Sequence, residues 1–316
     1  MTGEMEDHTP VGAALIALRA GSPGDVARAV GLLQGAAREG EAEAVCRLAA
    51  LTGAGVGVPQ DWEGAFDLLV QAAVGGSAGA RGQLQALAGR EAGPDAGPDV
   101  WRDLRRSVRL QDWTAPSEKR PLNAAPRVVA VSRFLPPAIC NWLIGLAVGR
   151  LAPAMVYSRG DAAPVVSVAR RNSAFEFAFV DCDLIVHLTR ARIAATIGVP
   201  AQVLESSQIL NYQVGEAFAP HHDFLDPANS AHAADIIARG QRIVTFLVYL
   251  NDDFDGAETA FPRLGLNHRG KTGDALYFSN LDGAGGVDRR TLHAGLAPTR
   301  GEKWVFSQWI RNLARI

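Results

Sequence analysis

Between residues 25 and 87 the apolar positions of the chain repeat. "DVARAVGLLQGAAREGEAEAVCRLAAL" (25–51) aligns with "DWEGAFDLLVQAAVGGSAGARGQLQAL" (61–87). Asp25 meets Asp61, Ala29 meets Ala65, Leu32–Leu33 meet Leu68–Leu69, and Ala36–Ala37 meet Ala72–Ala73. Gly40 then meets Gly76, Ala44 meets Ala80 and Leu48 meets Leu84. Small and apolar residues recur at three- and four-residue steps, which predicts two short, closely approaching helices per unit, broken at the glycine. "TGAGVGVPQD" (52–61) reads as the loop between units, and "GAALIALRAG" (12–21) as half of a further unit. From about Arg127 the pattern changes to β-branched and aromatic runs separated by turns: "RVVAVSRFL", "QILNYQV", "RIVTFLVYLN", "ALYFSN" and "KWVFSQWIRN". Two helical stretches interrupt them, 137–151 and 181–198. The expected fold class is α+β, an antiparallel sandwich or jelly roll with supporting helices, preceded by a small α-helical region. The expected domains are a repeat region over 1–90, a linker over 91–125 and a β-rich domain over 126–316. Within the linker, "VWRDLRRSVRL" predicts one helix, whose arginines read as a solvated face.

Composition narrows the function classes. The 316 residues carry a formal net charge of −2, with 48% hydrophobic and 20% charged residues, as expected of a globular protein with real cores. That balance gives no global electrostatic reason for a nucleic-acid or anionic-membrane partner. Three widely spaced cysteines, Cys46, Cys140 and Cys182, make neither a disulfide framework nor a CxxC metal site. The start "MTGEMEDHTP" lacks the basic and apolar regions of a signal peptide, and no run of residues has membrane-span character. The expected location is cytoplasmic.

The candidate chemistry lies in "FAPHHDFLDP" (218–227). On a strand, residues i and i+2 share a face, so His221 and Asp223 can converge on one ion while His222 points away. A lone HxD is a common accident, so a third ligand decides the matter. His232 sits in a loop with a short helix and His268 among turn residues. His293, in "RRTLHAGLAP", lies on an expected core strand and is the choice. Two histidines and one carboxylate form a facial triad that suits Fe(II) and leaves positions open. A zinc hydrolase could use the same triad but lacks an obvious general base. On the alternating strand "KWVFSQWIRN", Lys303, Val305, Ser307, Trp309 and Arg311 share a face. Lys303 is one of only three lysines, with Lys119 and Lys271, and from there it could hold the far carboxylate of a dicarboxylic acid chelated at the metal.

The segment from about Arg127 to Asn312 resembles the prolyl 4-hydroxylase family of 2-oxoglutarate- and Fe(II)-dependent dioxygenases. The matching pieces occur in order: "FLPPAICNWLI", "LESSQILNYQVGEAFAPHHDF", "RIVTFLVYLNDDFDGAETAFP", "GDALYFSN" and "TLHAGLAPTRGEKWVFSQWIRN". The resemblance implies a double-stranded β-helix core, with His221, Asp223 and His293 binding Fe(II) and Lys303 pairing with 2-oxoglutarate. Tyr212, Tyr249 and Thr259 would line the cosubstrate pocket. It further implies O2 as oxidant, ascorbate as a reductant, and hydroxylation of a prolyl residue in a peptide or protein, with succinate and CO2 as coproducts. Other substrates within this reading are a free amino acid or another side chain, and the rival from another class is a non-catalytic repeat scaffold. Two positions depart from the family pattern: Ala257 stands where a second glycine is usual, and Phe218 lacks a hydroxyl. The stretches 156–173 and 225–241 are long and polar enough for lids or groove walls. Arg170 and Arg171 read more readily as surface ion-pairing residues than as groove residues. The N-terminal units resemble the Sel-type branch of tetratricopeptide-like repeats, which implies a docking surface for a protein partner.

Overall fold

The computed structural model describes residues 9–156, 165–166 and 170–313. The chain divides into two compact units, Met1–Ala115 with Phe177–Arg192, and Pro116–Glu176 with Ile193–Ile316. Among the described residues no helix is long and apolar enough to cross a membrane.

The first unit is helical: α1 (Pro10–Ala20), α2 (Pro23–Arg38), α3 (Ala42–Ala54), α4 (Trp62–Val74), α5 (Ala78–Ala88), α6 (Pro98–Ser107) and the single turn α7 (Gln111–Thr114). Positions equated by the sequence repeat share their burial. Ala29 and Ala65, Leu33 and Leu69, and Ala44 and Ala80 are all fully inaccessible. Alanine at these sites lets helix axes approach closely, and each leucine fills the remaining gap. Gly40 and Gly76 both turn the chain in the left-handed region, at φ of +90° and +101°. There the absence of Cβ removes the usual steric penalty. Capping does not follow the repeat. Asp61 caps α4 by accepting from the Gly64 amide at 3.0 Å, whereas its counterpart Asp25 lies inside α2, which Ser22 caps instead. Ser77 caps α5 through the Ala80 amide (3.2 Å) and also bonds Glu43 (3.3 Å) while buried. Ser77→Ala is therefore expected to lower the stability of this unit by about 1 kcal/mol, readable in a chemical melt followed by circular dichroism.

Helix α6 falls within the stretch read as a linker. Arg102 and Arg106 pair locally, with Asp99 at 2.8 Å and Asp103 at 2.7 Å, on a solvated face, whereas Arg105 is packed over the Phe66 ring of α4 and pairs with Glu63. Residues from the middle of the chain complete the unit. Val180 joins the apolar cluster of α1–α3, Arg47 donates to its carbonyl at 3.1 Å, and Gln83 accepts from the Leu184 amide at 3.0 Å. Leu184 opens helix α9 (Leu184–Ile197), which follows α8 (Pro137–Ala147) in chain order.

The second unit is built on antiparallel strands. β1 (Arg120–Asn123), β2 (Val128–Val131), β3 (Ala152–Pro153), the pair β4 (Met155–Val156) and β5 (Val165–Val166), β6 (Ser173–Glu176), β7 (Gln208–Tyr212) and β8 (Phe218–His221) come first. Helix α10 (Ser230–Arg239) precedes β9 (Arg242–Tyr249), β10 (Asp255–Gly256), β11 (Thr259–Phe261), β12 (Leu266–His268) and β13 (Ala275–Ser279). The last are β14 (His293–Gly295), β15 (Pro298–Arg300) and β16 (Lys303–Arg311). An eight-stranded sheet runs β1-β2-β13-β9-β16-β7-β6-β3, and a four-stranded sheet runs β12-β11-β14-β8. Phe261 of the smaller sheet packs with Val128, Leu210, Tyr249, Phe278 and Val305 of the larger one, so the core lies between the two. The result is a β-rich core with flanking helices. At one end Glu205 is held between two guanidinium groups, Arg242 at 2.7 Å and Arg311 at 2.6 Å. Burial alone would raise the Glu205 carboxyl, but the two arginines outweigh it and hold it below its ordinary value. Arg311 also reaches Asp235 at 2.8 Å, which ties α10 to the end of β16.

Candidate metal centre

The smaller sheet brings the two predicted histidines together. β8 and β14 are antiparallel, and His221 and His293 are direct cross-strand partners. Asp223 lies two residues past His221, just beyond the end of β8, and its carboxylate still comes back to the side of the sheet that holds the two imidazoles. His221 Nε2 stands 3.6 Å from Asp223 Oδ1, and His293 Nε2 stands 3.4 Å from Asp223 Oδ2. One ligand atom from each residue lies within 4.8 Å of the others, and this is the only such cluster among the described residues. His222 faces elsewhere, its Nε2 lying 3.0 Å from the Arg289 carbonyl. His232 bonds the Asp226 amide at 3.0 Å and His268 sits on β12, so neither joins the cluster.

The donors are prepared for a cation. His221 Nδ1 donates to the Ala219 carbonyl (2.9 Å) and His293 Nδ1 to the Thr291 carbonyl (3.0 Å). A carbonyl only accepts, so each Nδ1 carries a proton and Nε2 is the nitrogen left free to ligate. Burial, and then His293, push the His221 imidazole below its ordinary value and favour the neutral, ligating form. Burial works against the Asp223 charge, yet the two histidines keep its carboxyl well below the usual range. One carboxylate and two imidazole Nε2 atoms, with gaps of 3.4 and 3.6 Å, fit a divalent ion bound at about 2.1 Å from each donor.

The remaining predicted residues line the same cavity or stand behind it. Lys303, Tyr212 and Thr259 face it, together with Leu210, Leu247 and Val305. Lys303 is directly opposite Tyr212 across the β16–β7 pair, and its ammonium lies 5.6 Å from the Tyr212 ring and 5.3 Å from the Tyr249 ring. Its Nζ donates to the Ala257 carbonyl at 2.7 Å, and burial pushes the amine down to about 7. Among the described residues no carboxylate comes within ion-pair distance of it. Tyr249 is fully buried, and its hydroxyl lies 2.9 Å from Thr259 Oγ1. Ala257, which replaces a family glycine, adopts φ +58°, a conformation costing an alanine roughly 1 kcal/mol or more. The backbone there keeps the glycine-like turn that delivers its carbonyl to Lys303. Phe218 lies flat against His221 with ring centroids 3.5 Å apart, so the missing hydroxyl leaves a packing role intact.

Three features escaped the sequence reading. Arg170 is not at the surface: it is 8% exposed, lines the cavity and sits 4.9 Å over the Phe218 ring. The surface reading failed because Arg170 forms an isolated bridge to Phe218, a contact between distant segments that carries no local period. Arg171 is exposed and donates to the Gly215 carbonyl. Thr245, buried on β9, donates to Asp223 Oδ2 at 2.7 Å, and Asn280 bonds Thr245 at 3.1 Å. Most of the expected lid over 156–173 lies outside the described residues. The other, 225–241, contains α10, none of whose residues is fully buried.

A family-wide profile described as "2OG-Fe(II) oxygenase superfamily" matches residues 207–311. Prolyl 4-hydroxylase 1 of Arabidopsis thaliana is 31% identical over 204 residues, covering 60% of this chain and 70% of that protein. Prolyl 4-hydroxylase 5 of the same plant is 32% identical over 204 residues, with 58% and 68% coverage. Among solved structures, the viral collagen prolyl hydroxylase of Paramecium Bursaria Chlorella virus-1 aligns with 25% identity and a TM-score of 0.44, covering 58% of this chain and 95% of its own. The profile's match includes His221, Asp223, His293 and Lys303, and with 31% identity over 70% of a prolyl 4-hydroxylase the chain belongs to the prolyl 4-hydroxylase family of 2-oxoglutarate- and Fe(II)-dependent oxygenases.

Proposed function

We propose that this enzyme hydroxylates a prolyl residue in a peptide or protein, with Fe(II) held by His221, Asp223 and His293 and 2-oxoglutarate anchored by Lys303. One observation carries the reading: a buried lysine and a triad of two imidazoles and one carboxylate line one cavity. Burying an ammonium is costly unless an anion joins it, and a dicarboxylic cosubstrate chelated at the triad would bring one. When bound, Fe(II) and 2-oxoglutarate supply O2-driven oxidation of an unactivated C–H bond, with succinate and CO2 as coproducts. The chain's own part is positional. Lys303 fixes the far carboxylate, and the hydroxyls of Thr259 and Tyr212 offer hydrogen bonds beside it. Leu210, Leu247 and Val305 exclude bulk water, which strengthens each of these polar contacts.

The core is inferred to be a double-stranded β-helix, or jelly roll, spanning 126–316, with a linker over 91–125. The helical region over 1–90 is inferred to be a Sel-type repeat array that docks a protein partner. Three free cysteines suit a reducing, cytoplasmic setting with ascorbate as reductant.

An anaerobic titration of Fe(II)-loaded protein with 2-oxoglutarate tests the centre, and a visible metal-to-ligand charge-transfer band is expected. Oxygen-dependent succinate formation should then rise on adding a proline-rich peptide. Stimulation by free proline but not by the peptide would replace the substrate assignment. No band in iron-replete protein would remove the cosubstrate reading.

A further inference from the structure

Asp223 is the single anionic donor of the triad, and a carboxylate on a two-bond side chain can rotate about its own plane. What fixes it lies behind the cavity, in two residues: Thr245 on β9 and Asn280 just past the end of β13. Thr245 Oγ1 sits 2.7 Å from Asp223 Oδ2, and Asn280 Nδ2 sits 3.1 Å from Thr245 Oγ1. The relative exposures are 7% for Asp223, 1% for Thr245 and 0% for Asn280, so water does not substitute for any of these bonds. Asn280 is itself pinned by its backbone, which donates to the Ile243 carbonyl at 2.8 Å and accepts from the Asp288 amide at 3.0 Å.

We infer that Thr245 and Asn280 form a one-way hydrogen-bond relay that orients Asp223 for the metal. This inference rests on the metal reading of the triad. As a metal ligand Asp223 is a carboxylate, which only accepts, so the Thr245 hydroxyl 2.7 Å away donates to it. The Thr245 oxygen must then accept, and only the amide nitrogen of Asn280 can donate to it. Turning the amide over would set two acceptors against each other. The relay's direction is therefore dictated by the charge of Asp223. Asn280 Oδ1 is buried with no hydrogen-bond partner among the described residues. A buried orphan acceptor of this kind is destabilising, and the relay gives a reason for keeping an asparagine there. Thr245 and Asn280 are positioning residues. They touch neither cosubstrate nor reacting atoms, and they hold the carboxylate plane so that ordering it is not charged to metal binding.

The test uses the full chain and Mn(II) alone, with free Mn(II) followed by electron paramagnetic resonance. Thr245→Val keeps the shape and removes the hydroxyl, and it should weaken Mn(II) binding by about 10- to 100-fold. Thr245→Ser restores the hydroxyl and should stay within about threefold of wild type. Asn280→Asp replaces the donor with an acceptor and draws the Thr245 proton away from Asp223, so it should match Thr245→Val. The double variant Thr245→Val/Asn280→Asp should bind no more weakly than Thr245→Val, because both act through one hydroxyl. Asn280→Ala, which adds no charge, keeps the asparagine arm readable if Asn280→Asp fails to fold, and should weaken binding less than Thr245→Val does. Wild-type affinity in Thr245→Val, or Thr245→Ser as weak as Thr245→Val, overturns the relay while leaving the triad standing. Failure of the wild type to bind Mn(II) overturns the metal reading and the relay with it.

Discussion

In His293→Ala, 2-oxoglutarate turnover should fall by at least roughly a thousandfold, the equivalent of about 4 kcal/mol of lost metal-dependent stabilisation. His293 is buried, is the direct cross-strand partner of His221, and has its Nδ1 proton committed to the Thr291 carbonyl. Alanine there leaves two donors for an ion that needs a fixed triad, and it opens a void against Phe261 and Phe278, whose rings flank the imidazole. His221→Ala and Asp223→Ala should match it. The control is His222→Ala, whose side chain bonds the Arg289 carbonyl outside the triad and whose loss should change turnover by no more than about threefold. Succinate release at saturating iron and cosubstrate reads all four. Wild-type-like turnover in any of the first three would sink the triad, and a His222→Ala enzyme as dead as His293→Ala would shift the ligand register by one residue.

Lys303→Met should weaken 2-oxoglutarate binding by about a hundredfold near pH 6.5, the order expected when one member of a buried charge pair is truncated at roughly 3 kcal/mol. The pH dependence separates charge from packing. Without cosubstrate, burial holds the amine at about 7 against an ordinary 10.5. Pairing with a carboxylate needs the ammonium, so above pH 7 the free protein must take up a proton to bind. Affinity should therefore fall about tenfold per pH unit above 7, until the pH reaches the raised value of the paired lysine. Lys303→Met should show no such slope. Stability follows the opposite sense from a gained ion pair. The folded lysine binds its proton less tightly than the unfolded one, so its destabilising effect is full below pH 7 and fades between 7 and 10.5. Metal-free Lys303→Met should accordingly melt higher than wild type at pH 6.5, with the advantage lost by pH 10.5. An unchanged cosubstrate affinity across this range would remove Lys303 from the site.

How much of this was legible in the sequence depends on whether the feature is local. Strand alternation is local, so Lys303, Val305, Ser307 and Trp309 could be read onto one face, and all four line the cavity. The i, i+2 spacing brought His221 and Asp223 together and turned His222 away, although β8 itself ends at His221. Helical spacing is local too, which is why Ala29 and Ala65 could be equated and are buried alike. Capping was not legible from the repeat, because Pro23 and Ser22 start α2 three residues before the point equivalent to the start of α4. Contacts between distant segments were equally out of reach. Arg170 is brought to the cavity with its bridge to Phe218, and Thr245 meets Asp223, with Asn280 behind Thr245, only because distant segments come together there. Ala257 reads as a small flaw in a glycine motif, yet its carbonyl accepts the hydrogen bond of Lys303 Nζ at 2.7 Å.

The grouping of Phe177–Arg192 with the first 115 residues has a consequence for synthesis. As the chain leaves the ribosome, the N-terminal helices emerge without the segment that carries Val180 and Leu184. The Gln83 side-chain oxygen that waits for it, and the apolar wall of α1–α3 that Val180 joins, stay open meanwhile. At about 5–20 residues per second, the gap between residue 115 and residue 192 lasts seconds, long against helix formation. The helical unit is therefore first to be made but cannot finish folding until more than half of the chain exists, and a nascent chain stalled before Phe177 would offer that bare apolar wall to chaperones and proteases.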